Sequence, residues 1–245
     1  MSTKTFITTL FLLFIPAVAM SETETREQLL ARMSFDVMTY DYTGRYQKEA
    51  RDAVVNLKSM AKNGDAGAQA KLGEIYLRGG KLEKKDISKA YDWLSKSAKG
   101  GSGEGEFYLA EMYCEQPFKK IDEAIELYEK SANNGYKNAE YKLGMIYVSG
   151  RILPEDDIKA AKWYRLAADH GVAEAETFYS LMLMAGRGVK QDIPQAFMWA
   201  YIAKANGSKE ISSTVKELET KFPELVIVAQ KQAKEWWGKH PKNNY

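Results

Sequence analysis

Side chains able to do chemistry are scarce in this chain. Its 245 residues include two histidines, His170 and His240, and one cysteine, Cys114. Histidine moves protons near neutral pH and is the commonest metal ligand, so two histidines far apart in sequence supply little for an acid–base relay or a metal site. One cysteine makes neither an internal disulfide framework nor a cysteine-rich zinc site. The run Gly100-Gly101-Ser102-Gly103-Glu104-Gly105 is glycine-rich. It lacks the Lys-Ser/Thr that would hold a nucleotide phosphate, no strand precedes it, and it reads as a turn between units. Serines and threonines are frequent, yet none stands in a nucleophile-elbow motif. The many carboxylates suit helix caps and solvated helix faces, and spacing alone selects no catalytic pair. The expectation is a chain that is not an enzyme, with no catalytic residues, no cofactor and no metal. A balance of 35 Lys+Arg against 33 Asp+Glu gives a net charge of +2, too even for a main partner of nucleic acid. With 45% hydrophobic residues and six prolines, the chain is expected to fold.

Residues 1–20 read as an export signal. Lys4 gives a positive start, and Phe6 to Ala19 is apolar apart from Thr8 and Thr9. Ala17-Val18-Ala19 supplies the small-x-small pattern that signal peptidase accepts. As a helix, the 14 residues from Phe6 to Ala19 would reach about 21 Å, short of the ~30 Å hydrocarbon core. No cysteine follows this run, so a lipoprotein anchor is not expected. The mature chain should be periplasmic or secreted, with no membrane span after signal cleavage.

What must position any functional surface is an internal repeat. An Ala that opens one segment and a Gly that closes it recur as Ala53/Gly64, Ala90/Gly101, Ala124/Gly135, Ala160/Gly171 and Ala196/Gly207. Successive alanines lie 37, 34, 36 and 36 residues apart. Leu72-Gly73, Leu109-Ala110, Leu143-Gly144 and Tyr179-Ser180 keep the same offsets, and Tyr76, Tyr113, Tyr147 and Leu183 follow them. Each unit reads as two helices, A and B. Leu72 and Tyr76, four apart, share a face of helix A. Mid-helix Gly costs about 1 kcal/mol against Ala, so its recurrence calls for close approach by a neighbouring helix. Trp93, Leu127, Trp163 and Trp199 put bulk at one helix B position. Asp86, Asp156 and Asp192 precede helix B by four residues and can cap it, whereas Lys120 stands there in the second unit. The Gly closing helix B can take the left-handed conformation. His170 precedes one such Gly where the other units have Gly100, Asn134 and Asn206, so it reads as a solvated turn residue.

These residues resemble the Sel-one-like (SLR) repeat, a branch of the tetratricopeptide-like helical superfamily. The most faithful stretches are residues 139–147 and 160–168, and Gly186-Arg187-Gly188-Val189-Lys190-Gln191-Asp192 looks like the family's connector. Ala110, Pro117 and Lys120 in unit two, and Tyr179-Ser180 in unit four, depart from the pattern. The resemblance implies an all-α fold: an α-solenoid of stacked two-helix repeats with helical caps. Expected boundaries are a signal peptide at 1–20, an N-terminal helical cap with half repeat at 21–64, and four repeats at 65–101, 102–135, 136–171 and 172–207. Capping helices and a tail occupy 208–245. Cap helices are expected at Glu27–Asp41, Gln47–Lys62, 209–221 and 224–238, the last packing a stripe of Leu225, Val228, Ala229, Gln232 and Trp236 and leaving Trp237 exposed.

In that superfamily helix A lines the concave face. Beside its Leu–Tyr core stripe, a second row at i, i+4, i+7 would face the groove. The implied partner-binding residues are Glu74, Arg78, Phe107, Glu111, Tyr141, Met145, Leu181 and Met184, a surface rich in aromatics and Met toward its far half. A tightly wound superhelix would instead bury this row as core. The Cys pairs of the family's cysteine-rich, penicillin-linked branch are absent, and Cys114 reads as a partly buried thiol. The resemblance therefore implies an exported, monomeric, non-enzymatic binder of another protein. Periplasmic members of the family include immunity proteins against type VI phospholipase toxins, a role this chain would fit. A scaffold or regulator in envelope signalling or secretion, and an enzyme acting on cell-wall peptides or β-lactams, are the alternatives.

Overall fold

The structure, a computed structural model, describes residues 47–80, 82–115 and 118–240. The export signal, the cap helix expected at Glu27–Asp41 and the last five residues lie outside the described residues. Among the described residues there are eleven α-helices, one 3-10 turn and no strand. The fold class is all-α, an α-solenoid of two-helix repeats. The described residues divide into two compact units, the first up to residue 115 and the second from residue 118.

The first unit contains α1 (Gln47–Lys62), α2 (Ala66–Arg78), α3 (Ile87–Lys99) and α4 (Gly103–Cys114). Each packs on the next, and α2 also meets α4. Their apolar faces bury Leu57, Leu72, Ile75 and Leu94. At Gly73 α2 and α3 approach closely: a Cβ there would lie 2.5 Å from Leu94 Cγ. The recurrent small residue of helix A thus makes room for a large residue of helix B, as the sequence required.

The second unit contains α5 (Ile121–Asn133), α6 (Lys137–Ser149), α7 (Asp157–Asp169), α8 (Ala173–Ala185), α9 (Ile193–Ala205), α10 (Ile211–Lys221) and α11 (Val226–Lys239), with a 3-10 turn at Pro223–Leu225. Helices α5 to α9 pack in succession, and α9 also receives α10 and α11. The close approach recurs between α6 and α7, where a Cβ on Gly144 would lie 2.7 Å from the Tyr164 ring. One repeat later Ser180 fills the equivalent site and donates its hydroxyl to the Ala196 carbonyl at 2.7 Å. The residue matching Tyr164 there is Ala200, so a larger helix A residue faces a smaller helix B residue.

The connectors are closed from both sides. Asp86, Asp156 and Asp192 accept from the backbone N–H groups of Lys89, Lys159 and Gln195 at 3.0, 3.0 and 2.9 Å. Their own N–H groups donate to Tyr76, Tyr147 and Leu183 carbonyls at the end of the preceding helix. Lys120, in the same position before α5, makes no side-chain cap bond. The glycines closing helix B are left-handed, with φ of 78° at Gly101 and 75° at Gly171.

The C-terminal stripe differs from expectation. Phe197, Ala200, Ala203, Ile211, Val215, Leu218 and Ala229 form one buried cluster, with Leu225 and Val226 packed against it. Val228, expected inside, is exposed, as is Ile227, while Trp237 is half-buried. The cause is that α11 begins at Val226 after a 3-10 turn. That turn rotates the inward face onto Val226, Ala229 and Ala233 at i, i+3, i+7. Trp236 reaches Trp199 edge-on, with ring centroids 5.4 Å apart.

Candidate functional site

In the first unit the expected row consists of Glu74 and Arg78 on α2 with Phe107 and Glu111 on α4. Glu74 is only 6% exposed. Its carboxylate accepts from the Tyr108 hydroxyl and pairs with Arg78 Nε at 3.0 Å. Arg78 also lies 5.8 Å from the centre of the Tyr108 ring. Lys71 pairs with Glu104 across the same two helices. These contacts tie α2 to α4 and leave Glu74, expected in the groove row, buried between them. Phe107 and Glu111 are half-buried, and the half-buried Cys114 is in no disulfide.

The second unit carries the apolar half of the row, and here it reaches solvent. Met145 on α6 is 41% exposed and Leu181 on α8 is 38% exposed. Tyr141 is half-buried, one helical turn before Met145. A residue the sequence reading missed joins them: Phe178, 38% exposed. Its ring stacks on buried Tyr164 at 5.2 Å and lies 6.3 Å from the Tyr141 ring. Tyr141 is itself 6.0 Å from Tyr164. The three rings thus link helices α6, α7 and α8. Tyr141 and Met145 stand at i, i+4, and Phe178 and Leu181 at i, i+3, so each pair shares a helix face. Burial raises the Tyr141 phenol above its ordinary pKa, and the nearby Glu174 carboxylate adds to the shift. The phenol therefore stays protonated and able to donate. Met184, also expected in the row, is half-buried against the C-terminal cluster of Phe197 and its neighbours, so its side chain serves packing. Among the described residues, no group of three or more His, Cys, Asp or Glu is arranged to hold a metal ion.

The period, the two-helix units and the small residue at each close approach match a known pattern. The Sel1 repeat matches residues 66–102, 103–136, 137–172 and 173–208, more than half of the chain. The chain belongs to the Sel1 repeat family. Sel1 repeats are helical modules that mediate protein–protein binding. A sel1-like repeat-containing protein of Acanthamoeba polyphaga mimivirus is 36% identical over 96 residues, covering 39% of this chain and 17% of that protein, far less than two thirds of its length. Among solved structures, a protective antigen of uropathogenic Escherichia coli with an SLR fold aligns with a TM-score of 0.69 at 24% identity, over 86% of this chain and 45% of the antigen. A Sel1 repeat protein from Oxalobacter formigenes gives 0.68 at 21% identity, over 92% and 90% of the two chains. An immunity protein from Pseudomonas aeruginosa gives 0.53 at 16% identity, over 89% and 84%. At these identities the structures share the fold with this chain.

The Sel1 repeats also contain a buried polar position that the sequence reading did not single out. Three residues before each Leu or Tyr marker stand Gln69, Glu106, Glu140 and Glu176, all buried. The Gln69 amide donates to the Ala61 carbonyl at 2.9 Å. Glu140 accepts from His170 Nδ1 at 2.8 Å, and Glu176 accepts from Asn206 Nδ2 at 2.7 Å. Each bond ties the first turn of a helix A to the end of a helix B. His170 is therefore no merely solvated turn residue, because its ring anchors the end of α7 to α6. Asn206 does the same for α9 and α8, since His and Asn both present an N–H donor to the acid.

Proposed function

We propose that this chain is an exported, non-enzymatic protein-binding solenoid, and that the apolar rows of its second unit are the surface that holds the partner. The observation that carries this is the exposed set Met145, Phe178 and Leu181 with the half-buried Tyr141 beside it. Large apolar side chains on α6 and α8, gathered around the Tyr164 ring of the intervening α7, are of the kind protein interfaces use as anchors. Membership in a family of protein-binding repeats supports the same reading. The export component rests on the N-terminal sequence pattern, Lys4, the apolar run and Ala17-Val18-Ala19.

Within that class the chain is an immunity or inhibitor protein that neutralises a secreted toxin, such as a type VI phospholipase effector, acting as a monomer. An immunity protein with the same fold lends support through the fold alone. The rows would cover the toxin's active site or block its activation. The test has two parts. Cells that produce a genetically neighbouring toxin should be rescued by this chain and not by its Tyr141→Ala/Met145→Glu variant. The purified chain should capture that toxin from an envelope extract, and the variant should not. Rescue by the variant as strong as by the parent would remove the surface, and absence of any complex with a neighbouring toxin would remove the role.

A further inference from the structure

The partner's chemistry is written into one acid. On α8, Glu174, Phe178 and Leu181 stand at i, i+4, i+7 and so form one row, with the acid at its head. Glu174 is exposed, and among the described residues no ion pair holds it. It differs in this from four other helix A acids. Glu74 is taken by Arg78 and Tyr108, Glu104 by Lys71, Glu140 by His170 and Glu176 by Asn206.

The repeat itself shows what Glu174 lacks. Lys71 and Glu104 occupy the same repeat positions as Lys142 and Glu174. The first pair closes an ion pair between neighbouring A helices. In the second, Lys142 places its ammonium over the Tyr128 ring, 5.8 Å from its centre, and leaves Glu174 open. The α8 row therefore begins at an exposed carboxylate with no ion pair among the described residues.

Resting on the reading of these rows as the binding surface, we infer that the partner segment is basic as well as apolar. A Lys or Arg meets Glu174, and a bulky apolar side chain sits on Phe178 and Leu181. Four to seven residues of helical rise set the two groups about 6–10 Å apart, a spacing that one or two turns of a helix or a short extended segment can offer. Charge complementarity of this kind fixes register and suppresses acidic competitors.

The experiment selects displayed random dodecapeptides on the purified full-length chain, on Glu174→Lys and on Met145→Glu, with each variant's fold checked by its helical circular dichroism and melting curve. Wild type should enrich peptides that pair bulky apolar residues with Lys or Arg. Glu174→Lys should keep the apolar preference and lose or reverse the basic one, with wild-type-selected peptides binding at least tenfold more weakly. A basic preference that persists in Glu174→Lys, or never arises, overturns the inference while leaving the surface standing. Peptides that bind Met145→Glu as well as wild type overturn the surface itself, and failure to enrich any peptide overturns both.

Discussion

The end of helix α7 is fastened to the core by His170, whose Nδ1 lies 2.8 Å from Oε2 of Glu140, a carboxylate only 1% exposed. A carboxylate accepts, so Nδ1 carries the proton and donates. Burial pushes the Glu140 carboxyl above its ordinary pKa; the His170 contact opposes this and Asp169 adds to it. The folded-state pKa is thus raised over the unfolded value of about 4.3. The favourable contribution of the protonated acid is fully present below that value and is lost as pH rises through the folded pKa. Glu140→Gln keeps a neutral acceptor for Nδ1–H and removes the desolvation cost of the charge. The variant should therefore melt above the parent at pH 7–8 and converge with it near pH 4. Melting curves across this range check it; a difference that does not change with pH would refute the assignment.

Gly144 and Tyr164 form a tight contact with no slack. A Cβ on residue 144 would lie 2.7 Å from two ring carbons, and the ring is held by Phe178 and Tyr141. Gly144→Ser should cost about 1–3 kcal/mol through overpacking. Tyr164→Ala should cost about 3–5 kcal/mol through the cavity it leaves. The fourth repeat already uses Ser180 opposite Ala200. The double variant should accordingly be less destabilised than the two single costs combined, by about 1 kcal/mol or more. Urea unfolding of all four proteins gives the coupling, and simple additivity would count against the swap.

The repeat, its caps and its close approaches were legible because each leaves a periodic mark. Asp86, Asp156 and Asp192 recur at one offset, and so do Gly73, Gly144 and Ser180. Phe178 was hidden because its position holds Lys71, Tyr108 and Lys142 in the other repeats, so no residue type recurs there. One residue along a helix is a 100° rotation, enough to move a ring from the neighbour's core to the surface. The Glu140–His170 bond was hidden because its partners are 30 residues apart and the donor varies between His and Asn. Val228 was misplaced where repetition stops. The cap helices are not constrained by the period, and a single 3-10 turn sets which face of α11 is buried.

Gly188 and Arg187 should respond in opposite ways to truncation or growth. Gly188 lies against the first turn of α7, where a Cβ would come within 1.9 Å of the Asp157 carbonyl oxygen. Its φ of 66° adds the strain any L side chain meets in that region. Backbone cannot yield as a side chain can, so Gly188→Ala should cost at least about 2 kcal/mol. Arg187 grips the same turn through a forked pair with Asp157, at 2.7 and 3.0 Å, and a bond to Glu155 at 2.6 Å. These groups face water, where ion pairs add little. Arg187→Ala should leave the melting temperature almost unchanged, with any residual effect fading in salt. Equal losses from the two variants would mean that the charges, and not the backbone fit, dock this connector.

Leu181 and Ile158 are both exposed apolar residues of the second unit, at 38% and 72%, and only one belongs to the aromatic rows. Leu181 follows Phe178 on the exposed side of α8, whereas Ile158 begins α7 beside its connector. Glu at either site buries no charge, so both variants should fold and melt within about 0.5 kcal/mol of the parent. They should differ in binding. Leu181→Glu introduces a charge that the partner must desolvate next to Phe178, and a loss of at least tenfold in affinity, about 1.4 kcal/mol, is expected. Ile158→Glu should bind as the parent does. Calorimetry or surface resonance with the captured partner measures both, and the pairing separates a specific surface from general stickiness. If both substitutions weaken binding alike, exposed apolar area of any kind is what the partner senses, and the ordered rows of α6 and α8 lose their special role. If neither does, the partner is held by another face of the repeats.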